Sequence, residues 1–383
     1  MNKFLSFIAV GLLSAGTLHA QTAEDKISIK PSGRILMDAA LMDAKHNNEE
    51  LNDGVAIPDM RVGVKATYGP WTAKVDMGYA YGAVSMKDVF IERSLTKNSF
   101  IRGGYFIHQF GLQSATSSSF KISMEEPASN EAFNNSRTIG LMYVHGTKKF
   151  LGTFSAFTES DAMKMKSEKL GNQGVGLMSR LVYRPFIEEG KIFHVGISGA
   201  IESPRYNKDA NLNHHSFTLG ANLPTRVAKV SAIGATIDNA RKMVKFTPEL
   251  TAAYGRLGIE TQYFYVNVDR EGDMPNYTAS GAYCSLRGLL KGKDYHYNYW
   301  DGGIDTPRPG AMEVVLAYNY TDMSDAKSDI RGGRLNDWSA AFNYYINKYM
   351  IWRVRASHTK VTNRIGFEDN KVSMLETRLQ IKF

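Results

Sequence analysis

The chain has 383 residues, of which 43% are hydrophobic and 22% are charged, and its formal net charge is +8. Mean hydropathy is −0.30, and beyond the first twenty residues there is no long apolar run, which excludes a membrane protein built of helices. The positive charge favours anionic partners, but it is spread along the chain without the clustered arginine and aromatic platform that binds nucleic acid. We therefore expect no nucleic-acid partner.

The first residues have the pattern of an export signal. Lys3 supplies a short positive region, a mostly apolar stretch follows, and Ala20 ends a tolerable cleavage site. Residues 1–20 are therefore predicted to be a cleaved secretory signal peptide. No linker or shift in composition marks a second domain after it, so residues 21–383 are predicted to form a single β-barrel domain.

Strict two-residue alternation runs from Asp59 to Tyr81, on both sides of a turn at Gly69-Pro70. A period of two predicts a β-hairpin with one apolar and one polar face. On the apolar face, Tyr68 and Trp71 bracket the turn and Tyr81 lies ten residues beyond Trp71. Ten residues of tilted strand rise ~25 Å, the height of the apolar band of an outer-membrane barrel between its aromatic girdles. This face is predicted to meet lipid, and the polar face a water-filled lumen.

The same alternation recurs along the chain, and no segment has a convincing helical period. It is clearest in residues 34–41, 193–198, 312–321, 337–346 and 374–383. At ~22 residues for each strand with its share of turn and loop, the mature chain accommodates about 16 strands. The last strand ends on Phe383, as outer-membrane barrels commonly end on an aromatic residue. The fold class is therefore predicted to be all-β, a transmembrane antiparallel barrel.

The alternation stops for about thirty residues between Phe106 and Arg137. A structureless segment of this length in a compact protein is usually functional or disordered, and its aromatic residues argue against disorder. In a barrel such a segment can fold inward and narrow the lumen. We expect this loop to set the pore.

Cations recur on the polar face of the predicted strands. They are Arg61, Lys65 and Lys74 in the first hairpin, Arg353 and Arg355 near the end of the chain, and Arg378 in the last strand. Rows of fixed cations lower the barrier for anions and raise it for cations. The alternative is that carboxylates such as Asp59, Asp76 and Glu376 pair with them, which would give a general, weakly selective porin.

An enzyme and a structural or adhesive barrel are the two alternatives to a channel. An outer-membrane enzyme would need a catalytic constellation, but the histidines have no metal-ligand spacing and neither G-x-S-x-G nor H-E-x-x-H occurs. We expect no catalytic residues, metal or cofactor, and the single cysteine, Cys284, has no internal disulfide partner. A structural or adhesive barrel remains an alternative, although it does not explain the loop from Phe106 to Arg137.

Several short motifs occur in the order typical of one family, and the order extends over most of the mature chain. They are Met86-Lys87-Asp88-Val89-Phe90-Ile91-Glu92, Gly103-Gly104-Tyr105-Phe106, Phe110-Gly111-Leu112, Met124-Glu125, Arg137-Thr138-Ile139-Gly140, Gly332-Gly333-Arg334-Leu335-Asn336-Asp337-Trp338 and Asn343-Tyr344-Tyr345-Ile346-Asn347. In this order the chain resembles the phosphate-selective porin O and P family.

The resemblance implies a 16-stranded, trimeric channel in the outer membrane of a Gram-negative bacterium, surrounded by outer-membrane lipid. It also implies an inward-folded third loop and basic residues along the path of phosphate or related anions. Arg61 falls where the family places basic residues at the constriction, and Asp88 matches its Lys-Asp-aromatic segment. The family has a basic residue close to position 119, where this chain has Lys121 instead.

Overall fold

The computed structural model describes residues 26–46, 49–117, 121–158, 174–204 and 215–383. Within them the strands are β1 (Ser28–Ala44), β2 (Gly54–Tyr68), β3 (Trp71–Ala80), β4 (Ala83–Thr96), β5 (Ser99–Phe106), β6 (Thr138–Gly146), β7 (Phe150–Thr158), β8 (Val175–Glu188), β9 (Lys191–Glu202), β10 (Phe217–Asn222), β11 (Ser231–Ile237), β12 (Ala240–Tyr254), β13 (Leu257–Arg270), β14 (Tyr277–Lys291), β15 (Tyr297–Asn298), β16 (Gly303–Ile304), β17 (Met312–Asp325), β18 (Ile330–Tyr344), β19 (Met350–Arg364) and β20 (Asn370–Lys382). The predicted signal peptide lies outside the described residues and stays a prediction.

Sixteen of these strands form one closed antiparallel barrel, which confirms the predicted fold class and strand number. The strands pair in the order β1 to β9, β12 to β14 and β17 to β20, and β1 closes the barrel by pairing with β20. β10 pairs with β11, and β15 with β16, in two hairpins separate from the wall. Closure leaves no edge of the wall unpaired, as a sheet in lipid requires.

The first hairpin has the predicted faces. Val64 lies opposite Val75 and Tyr68 opposite Trp71 in the β2–β3 register, and these side chains point outward. The alternating residues, including Arg61 and Lys74, point into the lumen. Polar side chains are tolerated there because the lumen supplies water or polar partners, whereas lipid supplies neither.

The two ends of the barrel differ in their connections. At the end that carries both termini of the barrel, six connections are short: 69–70, 97–98, 147–149, 189–190, 255–256 and 345–349. The seventh, 292–311, is much longer. We call this the turn end and the opposite one the loop end. Outer-membrane barrels place short turns in the periplasm, so the turn end is periplasmic.

The third loop, described at residues 107–117 and 121–137, folds into the barrel as predicted. It carries two short helices that the sequence pattern did not predict, α1 (Gly111–Ala115) and α2 (Ala128–Phe133). The Gly111 amide donates to Ser198 Oγ at 3.0 Å, and its φ of 81° is one that glycine adopts readily. A Cβ at this position would also collide with the Gln262 amide group, so glycine lets α1 sit directly on the wall. Among the described residues no helix is long and apolar enough to span a membrane.

The long connection 292–311 also enters the barrel, from the turn end, and sequence reasoning missed it. Its hairpin β15–β16 lies inside the wall, where Arg180 donates to the carbonyl oxygens of Asp301 (2.6 Å) and Gly302 (2.9 Å). The Tyr295 hydroxyl donates to Glu313 Oε1 at 2.7 Å. The barrel is therefore filled from both ends, and the two fillings meet where Gly303 lies against Leu112 of α1.

The filling is uneven around the barrel. We call the inward face of β1–β5 the open half and the inward face of β8, β9, β12–β14 and β17–β20 the filled half. In the open half Arg61 keeps 20% of its side-chain surface exposed and Lys74 26%. In the filled half Glu313 is completely buried and Arg353 is 1% exposed. Any passage for a solute must therefore run along the open half.

Candidate functional site

A cavity of about 580 Å³ lies between the open half and the third loop. Strands β1–β5 form one side of it, and residues Ser114 to Ser117, which include the end of α1, lie on the other. Seven cationic side chains from the described residues line it: Arg34, Arg61, Lys74, Arg102, Arg137, Arg226 and Lys382. Four acidic side chains from the described residues line it as well: Asp76, Asp88, Glu126 and Asp301. The cavity is thus lined by mixed charges with an excess of positive ones.

One charged cluster joins β1 and β2. Arg34 lies directly opposite Arg61 in the strand register, and both guanidinium groups bond the same carboxylate, Asp59. Arg61 donates through Nε to Asp59 Oδ1 at 3.0 Å. Arg226, in the turn between β10 and β11, lies 3.9 Å from Asp59 and donates to Glu125 Oε2 at 3.1 Å. Three arginines therefore surround one buried carboxylate at the side of the cavity.

A second cluster is built on Asp88 of β4. Lys74 Nζ lies 3.1 Å from Asp88 Oδ2 and 2.6 Å from Asp76 Oδ2. Arg137, at the end of the third loop, donates to Asp88 Oδ1 at 2.7 Å. Asp88 thus holds two cations in place on the cavity wall, and its charge partly cancels theirs.

Arg102 of β5 is fixed by a carboxylate and by aromatic rings. Its Nε and Nη2 both donate to Glu92 Oε2, at 2.9 and 2.6 Å. The guanidinium also lies 4.2 Å from the centre of the Phe90 ring, within the range of a cation–π interaction. This holds one cation rigidly at the edge of the cavity.

The eight residues predicted from sequence divide into three groups. Arg61, Lys74 and Asp88 line the cavity. Lys65 is exposed on β2, opposite Lys30 of β1 and Lys74 of β3, farther toward the turn end. The other four, Lys121, Arg353, Arg355 and Arg378, are buried in or behind the loops. A role in anion binding stays a prediction for all eight.

Lys121 does not border the cavity but lies inside the folded third loop. Its ammonium group donates to Gln113 Oε1 at 3.0 Å, and burial lowers its pKa. Its backbone carbonyl accepts a 2.7 Å hydrogen bond from Arg353 Nη1. Both cations therefore hold the loop together and attach it to the wall.

Arg378 and Arg355 attach loops to the filled half in the same way. Arg378 bonds Asp38 through Nε at 2.7 Å, and it also bonds Glu125 and the Met124 carbonyl of the third loop. Burial alone would raise the pKa of Glu125, but Arg378 and Arg226 hold it below its usual range. Arg355 contacts Asp337 at 2.9 Å and Glu376 at 3.0 Å. Their inward direction was predicted correctly, while the loops that cover them were not foreseen in detail.

Several lining cations were missed by sequence reasoning. Arg34 and Arg102 occupy inward positions of alternating strands, so the period-two pattern could have found them. Arg137 and Arg226 come from loops, where no periodic pattern indicates direction. Asp301, on the inserted connection, also lines the cavity, and burial raises its pKa to about 6. Within the described residues no group of His, Cys, Asp and Glu could hold a metal ion.

A closed sixteen-stranded barrel with an apolar exterior, an inward third loop and a charged cavity is the structure of an outer-membrane porin. The family model described as "Phosphate-selective porin O and P" matches residues 30–383. The chain belongs to this family, which confirms the resemblance seen in the sequence and its location in the outer membrane of a Gram-negative bacterium.

Solved structures show the same fold at low sequence identity. An anion-selective porin from Comamonas acidovorans has a TM-score of 0.56 and 9% identity, covering 94% of this chain and all of its own. The outer membrane channel DcaP of Acinetobacter baumannii has a TM-score of 0.55 and 10% identity, covering 96% and 100%. The trimer form of OmpT from Vibrio cholerae has a TM-score of 0.54 and 10% identity, covering 94% and 100%. No curated protein matches the chain.

Proposed function

We propose that this porin carries small hydrophilic anions passively along the open half of its barrel. The main support is the charge of this cavity, which seven cationic and four acidic side chains of the described residues line. A positive excess at a narrow passage lowers the barrier for anions relative to cations. The solute loses part of its hydration there, so the fixed charges act on it more strongly than they would in bulk water.

Phosphate or oligophosphate is the solute that we propose. The family description supports phosphate, and the arginines support it chemically, because a guanidinium group presents paired donors that match phosphate oxygens. Arg61 and Arg34 lie side by side and Arg137 lines the same cavity, so one anion could contact more than one of them along its path.

A general, weakly selective porin is the second candidate, and one observation favours it. Asp59 bonds both Arg34 and Arg61, and Asp88 bonds both Lys74 and Arg137. Carboxylates in these positions neutralise part of the positive field. The two candidates differ only in how far that neutralisation goes, which a measurement of selectivity decides.

We also propose a homotrimer in contact with outer-membrane lipid, and a channel without catalytic chemistry or cofactor. One structural neighbour was solved as a trimer, and the outward face of the barrel carries exposed aliphatic and aromatic side chains such as Val62, Trp71 and Leu141. The family is one of porins, which supports transport without catalysis.

The test is the reversal potential of purified protein in a planar bilayer under a KCl gradient, with and without phosphate, for the unchanged protein and for Arg61→Ala. We expect anion selectivity, a chloride current that phosphate reduces, and a weaker phosphate effect in the variant. Large currents that are indifferent to phosphate and to the substitution would establish the general porin. Folded protein that forms no channels would overturn transport and favour a structural or adhesive barrel.

A further inference from the structure

The turn end of the barrel carries a strong excess of exposed positive charge. Its seven connections, all within the described residues, contain seven exposed lysines and arginines but only two exposed carboxylates, Glu189 and Asp294. Three short loops of the opposite end, 271–276, 326–329 and 365–369, contain five exposed carboxylates and one exposed lysine. The exposed charge therefore differs in sign between these two sets of connections.

Three cations at the turn end lie over aromatic rings of the outward-facing girdle. Arg93 lies 5.2 Å from the centre of the Trp71 ring, Lys191 lies 4.2 Å from that of Phe186, and Lys348 lies 4.6 Å from that of Tyr349. The three rings are exposed, at 45%, 41% and 46%. Among the described residues none of the three cations lies within ion-pair distance of a carboxylate, and the nearest register neighbour of this kind is the exposed Glu188, directly opposite Lys191. Each pair thus presents a flat apolar surface with a positive charge at its edge.

We propose that these three pairs bind anionic phospholipid in the periplasmic leaflet of the outer membrane. An aromatic ring at the girdle lies where acyl chains meet headgroups, and a long cationic side chain extends from there to the level of the phosphate. A lysine or arginine near an anionic membrane surface contributes ~1 kcal/mol, which corresponds to roughly a fivefold preference over a zwitterionic surface.

The aromatic ring of each pair favours a phospholipid over free phosphate as the ligand. A dissolved anion gains nothing from an exposed indole or phenyl ring, whereas a phospholipid places its acyl chains against the ring and its phosphate against the cation. The sites are also distributed around the barrel, on β3–β4, β8–β9 and the connection before β19, and not around the lumen. Lipid binding at these sites is therefore separate from anion passage through the lumen and does not depend on it.

The test is native mass spectrometry of the protein released from nanodiscs that contain equal amounts of phosphatidylglycerol and phosphatidylcholine. We expect the unchanged protein to retain several-fold more phosphatidylglycerol. The triple variant Arg93→Gln, Lys191→Gln, Lys348→Gln should lose most of that preference. The matched control, Arg241→Gln, Lys360→Gln, Lys371→Gln, removes the same charge from exposed positions near the loop end and should keep it.

Equal retention of the two lipids by the unchanged protein would overturn the proposal, and this comparison needs no variant to fold. Equal losses in the two triple variants would also overturn it, because the effect would then follow net charge and not the three sites. Conductance in a planar bilayer should be the same for both triple variants, so failure of this proposal is distinguishable from failure of anion transport.

Discussion

The open and filled halves of the lumen contain the same residue types, but these residues have different roles. Around the cavity, Arg61 of the open half and Arg137 at the end of the third loop are paired with carboxylates but remain partly exposed, at 20% and 17%. In the filled half Arg355 and Arg378 are paired with carboxylates and are almost completely buried. The difference lies in what covers them. Inward-folded loops turn one set of charges into structural anchors and leave the other set facing a cavity.

This comparison predicts that the two halves contribute differently to stability. Arg378→Met would leave Asp38 as a buried charge without its arginine and Glu125 with Arg226 as its remaining arginine, at a cost of about 3–5 kcal/mol. Arg137→Met, the counterpart at the cavity, leaves a partly solvated Asp88 of the open half that still has Lys74, and should cost no more than about 1 kcal/mol. Urea unfolding of the reconstituted barrel, followed by tryptophan fluorescence, measures both. Equal losses of unfolding free energy in the two variants would show that both arginines contribute equally to stability.

The carboxylates of the open half should lower the preference for anions over cations, whereas the arginines should raise it. Asp88→Asn removes one negative charge from the cavity wall and frees Lys74 and Arg137 from it, so the anion-to-cation permeability ratio should rise. The rise should be about twofold at 0.1 M salt, where charges act over ~10 Å, and smaller at 1 M, where they act over ~3 Å. Reversal potentials at the two salt concentrations measure it. A ratio that falls would mean that Asp88 matters mainly by positioning the two cations.

The smallest expected effect is a dependence of selectivity on pH. Asp301 lines the cavity from the inserted connection, and burial raises the pKa of its carboxyl group to about 6. Because a carboxylic acid is neutral below its pKa, the cavity becomes more positive as the pH falls through about 6, and anion selectivity should increase. Asp301→Asn should remove this step and show the higher selectivity at every pH. A step that persists in the variant would have to be assigned to another group.

The wall of the barrel could be predicted from the sequence because its rules are local. Alternation in the hairpin from Asp59 to Tyr81 determines which side chains face lipid, and the same rule gave the inward direction of Arg353, Arg355 and Arg378. The strand number followed from chain length, since each strand and its connections use a nearly constant number of residues.

The filling of the barrel could not be predicted in the same way because its contacts are distant in sequence. Arg378 bonds Asp38, which lies 340 positions away, and Glu125, which lies 253 away. No periodic pattern indicates that Lys121 turns into its own loop. The inserted connection gave one unused signal, the aromatic run from Tyr295 to Trp300, which is unusual for a short periplasmic turn. An aromatic-rich connection of that length indicates a segment that packs against the rest of the protein.

The central claim is that dissolved ions pass along the open half only, and the accessibility of cysteines placed in the two halves tests it. In a Cys284→Ala background, Ser32→Cys places a thiol on the cavity wall, and Ser285→Cys places one at an inward position of β14 that is 2% exposed. A small anionic thiol reagent is added to single channels in a planar bilayer. We expect the reagent to reduce the current through the Ser32→Cys channel and to leave the current through the Ser285→Cys channel unchanged. A reduced current through Ser285→Cys, with Ser32→Cys unaffected, would contradict it.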